Sequence, residues 1–86
     1  MEKIKQFIKK NKLSFDEGQR NHIVTVLIGY SQYLGLDKVI LLEALSDVIE
    51  NDSFIETEIE RLWDYCNSRN YKNYWSTPAA KKAYKF

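Results

Sequence analysis

The stretch from Ile23 to Leu34 constrains the fold of this 86-residue chain more than any other. Its apolar residues wrap most of the circumference of a helix rather than one face, so this helix should lie at the centre of the core. The β-branched residues would also suit a strand, but the length of the stretch and the Gly35-Leu36-Asp37 punctuation after it favour a helix. We therefore expect a central helix from about Glu17 or Gly18 to Leu34.

Two glycines have predictable tasks in and after this helix. Gly29, in mid-helix, costs roughly 1 kcal/mol relative to alanine, which indicates a close contact with another segment at this point. Gly35 is suited to end the helix, with Leu36 closing the hydrophobic contact behind it. Asp37 is then a good N-cap for the next helix.

Helical patterns recur on both sides of the central helix. Residues 2–10 place Ile4, Phe7 and Ile8 on one face and lysines elsewhere, which is typical of a short amphipathic helix. Periodicity and capping signals predict three further helices: about Lys38–Glu50, one that starts near Glu56, and a short one of about 78–85 after Ser76-Thr77-Pro78.

The inward faces of the third and fourth helices follow from spacing, because apolar residues three or four positions apart share a face. In the third helix this predicts a core stripe of Val39, Leu42, Leu45 and Ile49, widened by Leu41, Ala44 and Val48. In the fourth helix the predicted inward residues are Ile59, Leu62, Trp63 and Cys66.

The segments between the helices are predicted to be connectors. The first carries Leu13 and Phe15, which can tuck into the core. Asn51-Asp52-Ser53 and Asn67–Trp75 are expected to be loops. Since this length leaves no room for a second domain, the sequence predicts one all-α domain over residues 1–86, a compact bundle of four to five helices.

Charge is segregated along the chain, although the formal net charge is only +1. Residues 1–12 carry five lysines against one glutamate, residues 13–60 carry ten acids against two bases, and residues 61–86 carry six bases against one aspartate. If both termini fold onto one side, the basic ends form a positive face suited to a nucleic-acid backbone. The alternative is that these charges are solvated faces of helices.

Composition argues against several other classes of protein. An apolar content of 44% argues against disorder. One cysteine and one histidine leave no metal-ligand set, so Cys66 is expected to be a buried thiol in a reducing compartment. No apolar run reaches the roughly 18 residues of a membrane span, and the first residues contain no signal-peptide apolar region. We expect a cytoplasmic protein with no bound cofactor and no membrane partner.

Polar groups gather at the start of the central helix. Arg20, Asn21 and His22 lie where backbone N–H groups lack helical partners and favour anions. A guanidinium in the first turn opposes the helix dipole unless it faces an anion, so Arg20 and the N–H groups can bind one phosphate together. The alternatives are an ion pair of Arg20 with Asp16 or Glu17 and a structural role for His22. Because His22 has no evident nucleophile or metal partner in the sequence, we expect no enzyme.

A second candidate surface lies near the C-terminal end. Arg69, Tyr71, Lys72 and Tyr74 alternate basic with aromatic side chains. This pattern suits a single strand, in which bases stack on rings and phosphates meet cations. The alternative is that the aromatic residues close one end of the bundle.

The order of these features resembles a known family. The resemblance is carried by Glu17-Gly18-Gln19-Arg20-Asn21, a helix containing Gly29-Tyr30, Tyr33-Leu34-Gly35-Leu36-Asp37 and Glu58-Ile59-Glu60-Arg61-Leu62. The pattern is similar to the helical primase C-terminal domain that follows the polymerase module in plasmid and viral primase-polymerases. The same helix start and glycine-leucine end resemble the C-terminal domain of the archaeal and eukaryotic primase large subunit and the iron-sulfur-free accessory subunit of some archaeal primases. The resemblance covers roughly residues 15–69 of this chain.

This resemblance implies a non-catalytic helical module of a DNA primase or replication initiator. In the family, the domain binds single-stranded template and the initiating nucleotide's triphosphate (ATP or another nucleotide), so Arg20 and Asn21 would contact phosphate or DNA, with His22 a weaker candidate. The other implied partner is a primase catalytic domain or subunit of a primosome. The chain departs from the family in lacking iron-sulfur cysteines and polymerase carboxylates, so priming would require another domain or subunit.

Two rival hypotheses come from the residues alone. The first is a small protein-interaction or regulatory module of phage or plasmid type, which docks through its acidic third and fourth helices. The second is a helix-turn-helix DNA reader with Leu34–Asp37 as the turn. Its recognition helix would then be Lys38–Glu50, whose acidic and apolar surface suits the major groove poorly.

Overall fold

The computed structural model describes residues 2–16, 18–48 and 53–86 of the chain. Within these ranges every regular element is helical, which confirms the prediction of an all-α bundle. The α-helices are α1 (Glu2–Lys10), α2 (Arg20–Tyr33), α3 (Lys38–Val48), α4 (Ser53–Ser68) and α5 (Pro78–Ala83), and a 3₁₀ helix spans Tyr71–Ser76.

The central position predicted for the second helix is confirmed. α2 packs against α3, α4 and the 3₁₀ helix, and eight of its 14 residues are buried on several sides of its axis. The helix begins at Arg20 rather than at Gly18, because the turn before it has a tighter pattern in which the Asp16 carbonyl accepts from the N–H groups of Gln19 and Arg20. Glu17, the other predicted start, lies outside the described residues.

The end of α2 has the predicted form. Gly35 has a φ of 75°, in the left-handed region that glycine adopts at little cost. The Leu36 N–H donates to the Ser31 carbonyl and the Gly35 N–H donates to the Gln32 carbonyl, which is the hydrogen-bond pattern of a Schellman motif. Asp37 then accepts the first hydrogen bonds of α3 through its backbone carbonyl.

Five aromatic rings join α1, α2 and the C-terminal part of the chain. Phe7 stacks on Tyr30 with 4.1 Å between ring centroids, and Trp75 meets both rings edge-on at 5.4 and 5.2 Å. Tyr84 and Phe86 pack against the same indole at 5.0 and 5.6 Å. We call Phe7, Tyr30, Trp75, Tyr84 and Phe86 the aromatic cluster. Such pairs contribute about 0.5–1.5 kcal/mol each beyond the burial of their area.

Gly29 makes the close contact predicted for it. A Cβ atom placed on this residue would lie 3.0 Å from Nε1 of Trp75 and 3.7 Å from Cβ of Tyr71. The missing side chain therefore lets the 3₁₀ helix lie directly on α2. Trp75 is only 3% exposed, so the indole fills the space beside Gly29.

The predicted core face of α3 is wrong in part. Val39 is 57% exposed and Val48 is also exposed, whereas the buried residues are Leu41, Ala44 and Leu45. α3 is apolar over most of its surface, so residue spacing supports two adjacent stripes, and packing against α1, α2 and α4 selects between them. Ile49 and Glu50, the predicted end of this helix, lie outside the described residues.

The fourth helix begins one turn earlier than predicted. It starts at Ser53 rather than near Glu56, because Ile55 is buried and extends the apolar stripe of Ile59 and Cys66 back by one turn. The loop predicted for Asn51-Asp52-Ser53 is therefore wrong at Ser53, while Asn51 and Asp52 lie outside the described residues.

The loop predicted for Asn67–Trp75 is also wrong. α4 continues to Ser68, Asn70 turns the chain with a φ of 56°, and the 3₁₀ helix follows at once. Asparagine is among the few residues other than glycine that adopt this left-handed conformation readily. The predicted cap of the last helix is confirmed, since the Thr77 hydroxyl accepts from the Ala80 N–H and Pro78 occupies the first turn of α5.

A Gly29→Val variant tests the contact between α2 and the 3₁₀ helix. We expect its free energy of unfolding to fall by about 1–3 kcal/mol, because the new Cβ atom would lie 3.0 Å from a buried indole, which must shift to accommodate it. Urea unfolding measures this change. Gly18→Ala is the matched control, since nothing lies within 4 Å of its added Cβ, and it should be neutral or slightly stabilising. Equal stability of Gly29→Val and wild type would contradict the contact.

Stability at high pH tests the aromatic cluster. Burial raises the pKa of the Tyr30 and Tyr84 hydroxyls above the ordinary value of 10.0. In the unfolded chain these hydroxyls ionise first, so their contribution is fully present below pH 10 and is lost as the pH rises through the folded-state pKa. Between about pH 8 and pH 10.5, wild type should therefore lose more stability in urea unfolding than Tyr30→Phe/Tyr84→Phe. Equal losses in both proteins would contradict this origin, since lysine deprotonation is common to both.

Candidate nucleic-acid interface

The three residues predicted at the start of α2 point in different directions, because successive helical residues project about 100° apart. Arg20 is half-buried on the side of α4, with its guanidinium carbon 4.4 Å from the centre of the Phe54 ring. His22 lies on another side and lines a cavity together with Thr25. Asn21 is exposed. The helix start thus separates the three side chains, and a shared phosphate contact stays a prediction.

His22 instead meets two residues of the second predicted surface. A cavity of about 300 Å³ opens between α2, the 3₁₀ helix and the residue that follows α5. Its rings come from Tyr71, Tyr74 and Tyr84, and His22 and Thr25 supply polar side chains on the opposite wall. We call this space the tyrosine cavity.

The periods of the two helices that form the tyrosine cavity explain its geometry. On α2, the lining residues His22, Val26 and Gly29 follow the spacing of one α-helical face. In a 3₁₀ helix, residues three apart are aligned, so Tyr71 and Tyr74 point the same way. Because Gly29 has no side chain and Trp75 lies against it, the cavity has an indole floor and space above it.

An aromatic path leads from the tyrosine cavity to Arg69. The Arg69 guanidinium carbon lies 5.0 Å from the centre of the Tyr65 ring, and Tyr65 meets Tyr71 edge-on at 6.1 Å. A hydrogen bond with Tyr65, with burial as the next cause, raises the pKa of the Tyr71 hydroxyl, and Arg69 opposes this shift. Like an ordinary tyrosine, Tyr71 presents a neutral ring to the cavity at neutral pH.

Lys72 is exposed on the 3₁₀ helix but does not line the cavity. Of the four residues predicted for this surface, Tyr71 and Tyr74 therefore form the cavity and Arg69 reaches it through Tyr65. Lys72 lies next to Tyr71 in the chain, where its cation is accessible to solvent.

The two basic ends of the chain lie next to each other, as the hypothesis of a positive face for a nucleic-acid backbone requires. The Asn11 side chain accepts from the Lys85 N–H at 2.7 Å and donates to the Lys85 carbonyl at 2.8 Å. The Lys10 ammonium also donates to the Phe86 carbonyl at 3.4 Å. The lysine-rich end of α1 thus adjoins the lysine-rich C-terminal segment, and Tyr84 connects that segment to the tyrosine cavity.

Sequence reasoning missed Tyr65, Thr25 and Tyr84 as parts of this region. Tyr65 carried a usable signal, because it lies four residues before Arg69 and this spacing puts a ring and a cation side by side on a helix. Tyr84 carried none, since its position depends on how the chain folds back after α5.

The rest of the described chain offers little other chemistry. Cys66 is buried as predicted, and burial raises the pKa of its thiol, so it is a poor nucleophile. The described residues contain no group of three or more histidine, cysteine or acidic side chains arranged to hold a metal ion. None of the described helices has both the length and the apolar character needed to cross a membrane.

Comparison of the chain with family models, with curated proteins and with solved structures found no match.

An Arg20→Ala variant separates packing from phosphate binding at the start of α2. Because the guanidinium lies over Phe54, packing alone predicts that the free energy of unfolding falls by about 0.5–1 kcal/mol with unchanged affinity for single-stranded DNA, whereas the predicted phosphate contact requires a loss of affinity. Thermal unfolding and fluorescence anisotropy measure the two effects. Arg61→Ala, which removes an arginine bound to Glu58 on α4, is the matched control. If Arg20→Ala is fully stable and loses affinity for DNA or triphosphate, the phosphate hypothesis holds.

Proposed function

We propose that this chain is a non-catalytic helical module of a DNA primase or replication initiator. It binds single-stranded template and a nucleoside triphosphate, while a separate catalytic domain or subunit carries out polymerisation. The primase assignment rests on the resemblance of residues 15–69, and the single-strand assignment rests on the tyrosine cavity.

The tyrosine cavity is the observation that carries this proposal. Tyrosine rings and an indole surround a space of about 300 Å³, which is at the small end of the range for ligand pockets. A space of this size suits one unpaired base rather than a duplex. Stacking of a base on an aromatic side chain contributes about 1–3 kcal/mol and tolerates any sequence, which is what template binding requires.

Charge supports the same surface. Three acidic side chains of the middle of the chain are bound to cations, since Asp47 pairs with Lys5, Glu60 with Lys38 and Glu58 with Arg61. Among the described residues, no ion pair involves Lys9 or Lys10 at the end of α1. The same holds for the lysines near the C-terminus, Lys81, Lys82 and Lys85. A strand with one base in the tyrosine cavity can therefore direct its backbone toward cations that are available to phosphates.

A second candidate function is supported by a groove between α3 and α4. It has a volume of about 440 Å³ and is lined by Leu42, Glu56, Thr57 and Glu60. One apolar and two acidic side chains in a groove suit a basic amphipathic helix of a partner protein. This function, docking through the acidic helices, is the alternative outcome of the experiment below.

Fluorescence anisotropy of a labelled single strand tests the proposal. We expect wild type to bind the strand and to lose affinity steeply between roughly 50 and 200 mM salt, because phosphate contacts release counterions. Tyr74→Leu should weaken binding about tenfold or more, as expected for the loss of one stacked base. Unlabelled duplex of the same sequence should compete poorly, because a paired base is not available to the cavity.

The control is Lys38→Gln, which removes one positive charge from the acidic side of the molecule and should leave strand affinity within about twofold. Thermal unfolding verifies that Tyr74→Leu is folded. If wild type fails to bind at either salt concentration, the single-strand proposal is wrong and docking of a partner at the acidic groove becomes the function to test.

A further inference from the structure

A second cavity lies across the aromatic cluster from the tyrosine cavity. It has a volume of about 370 Å³ and lies between α1, the end of α2 and Phe86. Its lining includes Lys3, Gln6 and Lys10 from α1 and Tyr33 from α2. We call this space the lysine cavity.

The wall between the two cavities consists of the aromatic cluster. Trp75 and Tyr84 line the tyrosine cavity, while Phe7, Tyr30 and Phe86 line the lysine cavity. Ring contacts of 5.2 to 5.7 Å connect the two sets, including Tyr30 with Trp75 and Phe7 with Tyr84. The cavities are therefore separate sites on one surface region.

The lysine cavity has the charge of an anion site. Lys3, Gln6 and Lys10 recur at a spacing that puts them along one face of α1. Among the described residues, no side-chain carboxylate lines this cavity or pairs with either lysine, and the Lys10 ammonium lies 3.4 Å from the main-chain oxygen of Phe86 at the cavity. Lys5 of the same helix differs, because its ammonium lies 2.6 Å from Asp47.

The lysine cavity also has exposed rings. Tyr33 is 41% exposed and Phe86 is 43% exposed, and both stand at the cavity beside the buried rings of Phe7 and Tyr30. Partly exposed rings next to lysines offer a flat apolar surface and a phosphate contact within one pocket. An apolar pocket with a few convergent polar groups is the usual form of a small-molecule site.

We propose that the lysine cavity binds a phosphate-bearing nucleotide, with the base against Tyr33 and Phe86 and the phosphate on Lys3 and Lys10. This site is distinct from the tyrosine cavity and from the start of α2, and it lies largely outside residues 15–69. It extends the proposed function, on which it rests, by adding a second nucleotide position. The nucleotide is either a free triphosphate or the next unit of a bound strand, since both present the same chemistry.

Isothermal titration of the full chain with ATP and anisotropy with a labelled single strand test the proposal together. The variant is Lys3→Gln/Lys10→Gln. The matched control is Lys5→Gln/Lys38→Gln, which removes the same charge from lysines that are paired with Asp47 and Glu60 and do not line the cavity. We expect the cavity variant to weaken one of the two ligands roughly tenfold or more, and the control to stay within about twofold.

The two ligands distinguish the sources of the nucleotide. Weaker binding of ATP assigns the cavity to a free nucleotide, and weaker binding of the strand alone assigns it to a neighbouring unit of the template. Tyr33→Leu provides a second variant that leaves charge unchanged, and it should weaken the same ligand by removing the exposed ring. Thermal unfolding verifies that each variant is folded.

The inference and the proposed function fail in different ways. If Lys3→Gln/Lys10→Gln and Tyr33→Leu bind both ligands as wild type does, the lysine cavity is not a nucleotide site, while a loss of strand binding in Tyr74→Leu would still support the proposed function. If the cavity variant and the lysine control lose affinity equally, the effect is general charge and the inference is wrong. If wild type binds neither ligand, both proposals are wrong.

Discussion

The contact between Gly29 and Trp75 is the constraint on which the rest of the structure depends. A glycine in mid-helix weakens α2, but it allows an indole to lie 3.0 Å from the position of the absent Cβ. Trp75 holds the 3₁₀ helix on α2 and supplies the edge on which Phe7, Tyr84 and Phe86 pack. Tyr30 of α2 supplies the other aromatic surface, since Phe7 stacks on it at 4.1 Å and Phe86 meets it at 5.8 Å. One residue without a side chain thus makes room for the indole against which α1 and the residues after α5 pack.

Much of the fold could be predicted from the sequence because its strongest signals are local. The apolar run of α2, the Gly35 turn and the Thr77-Pro78 cap each specify their structure within a few residues, and the structure has all three. The wrong predictions occur where tertiary contacts determine which residues are buried and which conformation a segment adopts. α3 is apolar on two adjacent faces, and packing against its neighbours buries Leu41 rather than Val39. The polar composition of Asn67–Trp75 suggested a loop, but the burial of Trp75 holds this segment in a helical conformation.

The sequence predicts several of the residues of the candidate site, but not which of them lie together. Alternation with basic residues indicates Tyr71 and Tyr74, and the period of the 3₁₀ helix puts them on one side. Closeness in sequence groups His22 with Arg20, yet the helical turn directs His22 to the tyrosine cavity and Arg20 to Phe54. Proximity in sequence thus misled at the start of α2. Tyr84 and Phe86 reach this region because the chain folds back after α5. No local sequence pattern predicts that change of direction.

The proposed primase function and the two cavities depend on different parts of the chain. The proposed function draws on residues 15–69, whereas the rings and lysines of the cavities come mainly from α1, the 3₁₀ helix and the residues after α5. A helical core of this kind can therefore serve as a scaffold to which flanking segments add binding surfaces. Asn11 ties those segments together by bonding both backbone groups of Lys85. The basic ends consequently lie side by side, and the aromatic cluster separates the two cavities beside them. This arrangement is what a single strand and a nucleotide would need in order to bind side by side.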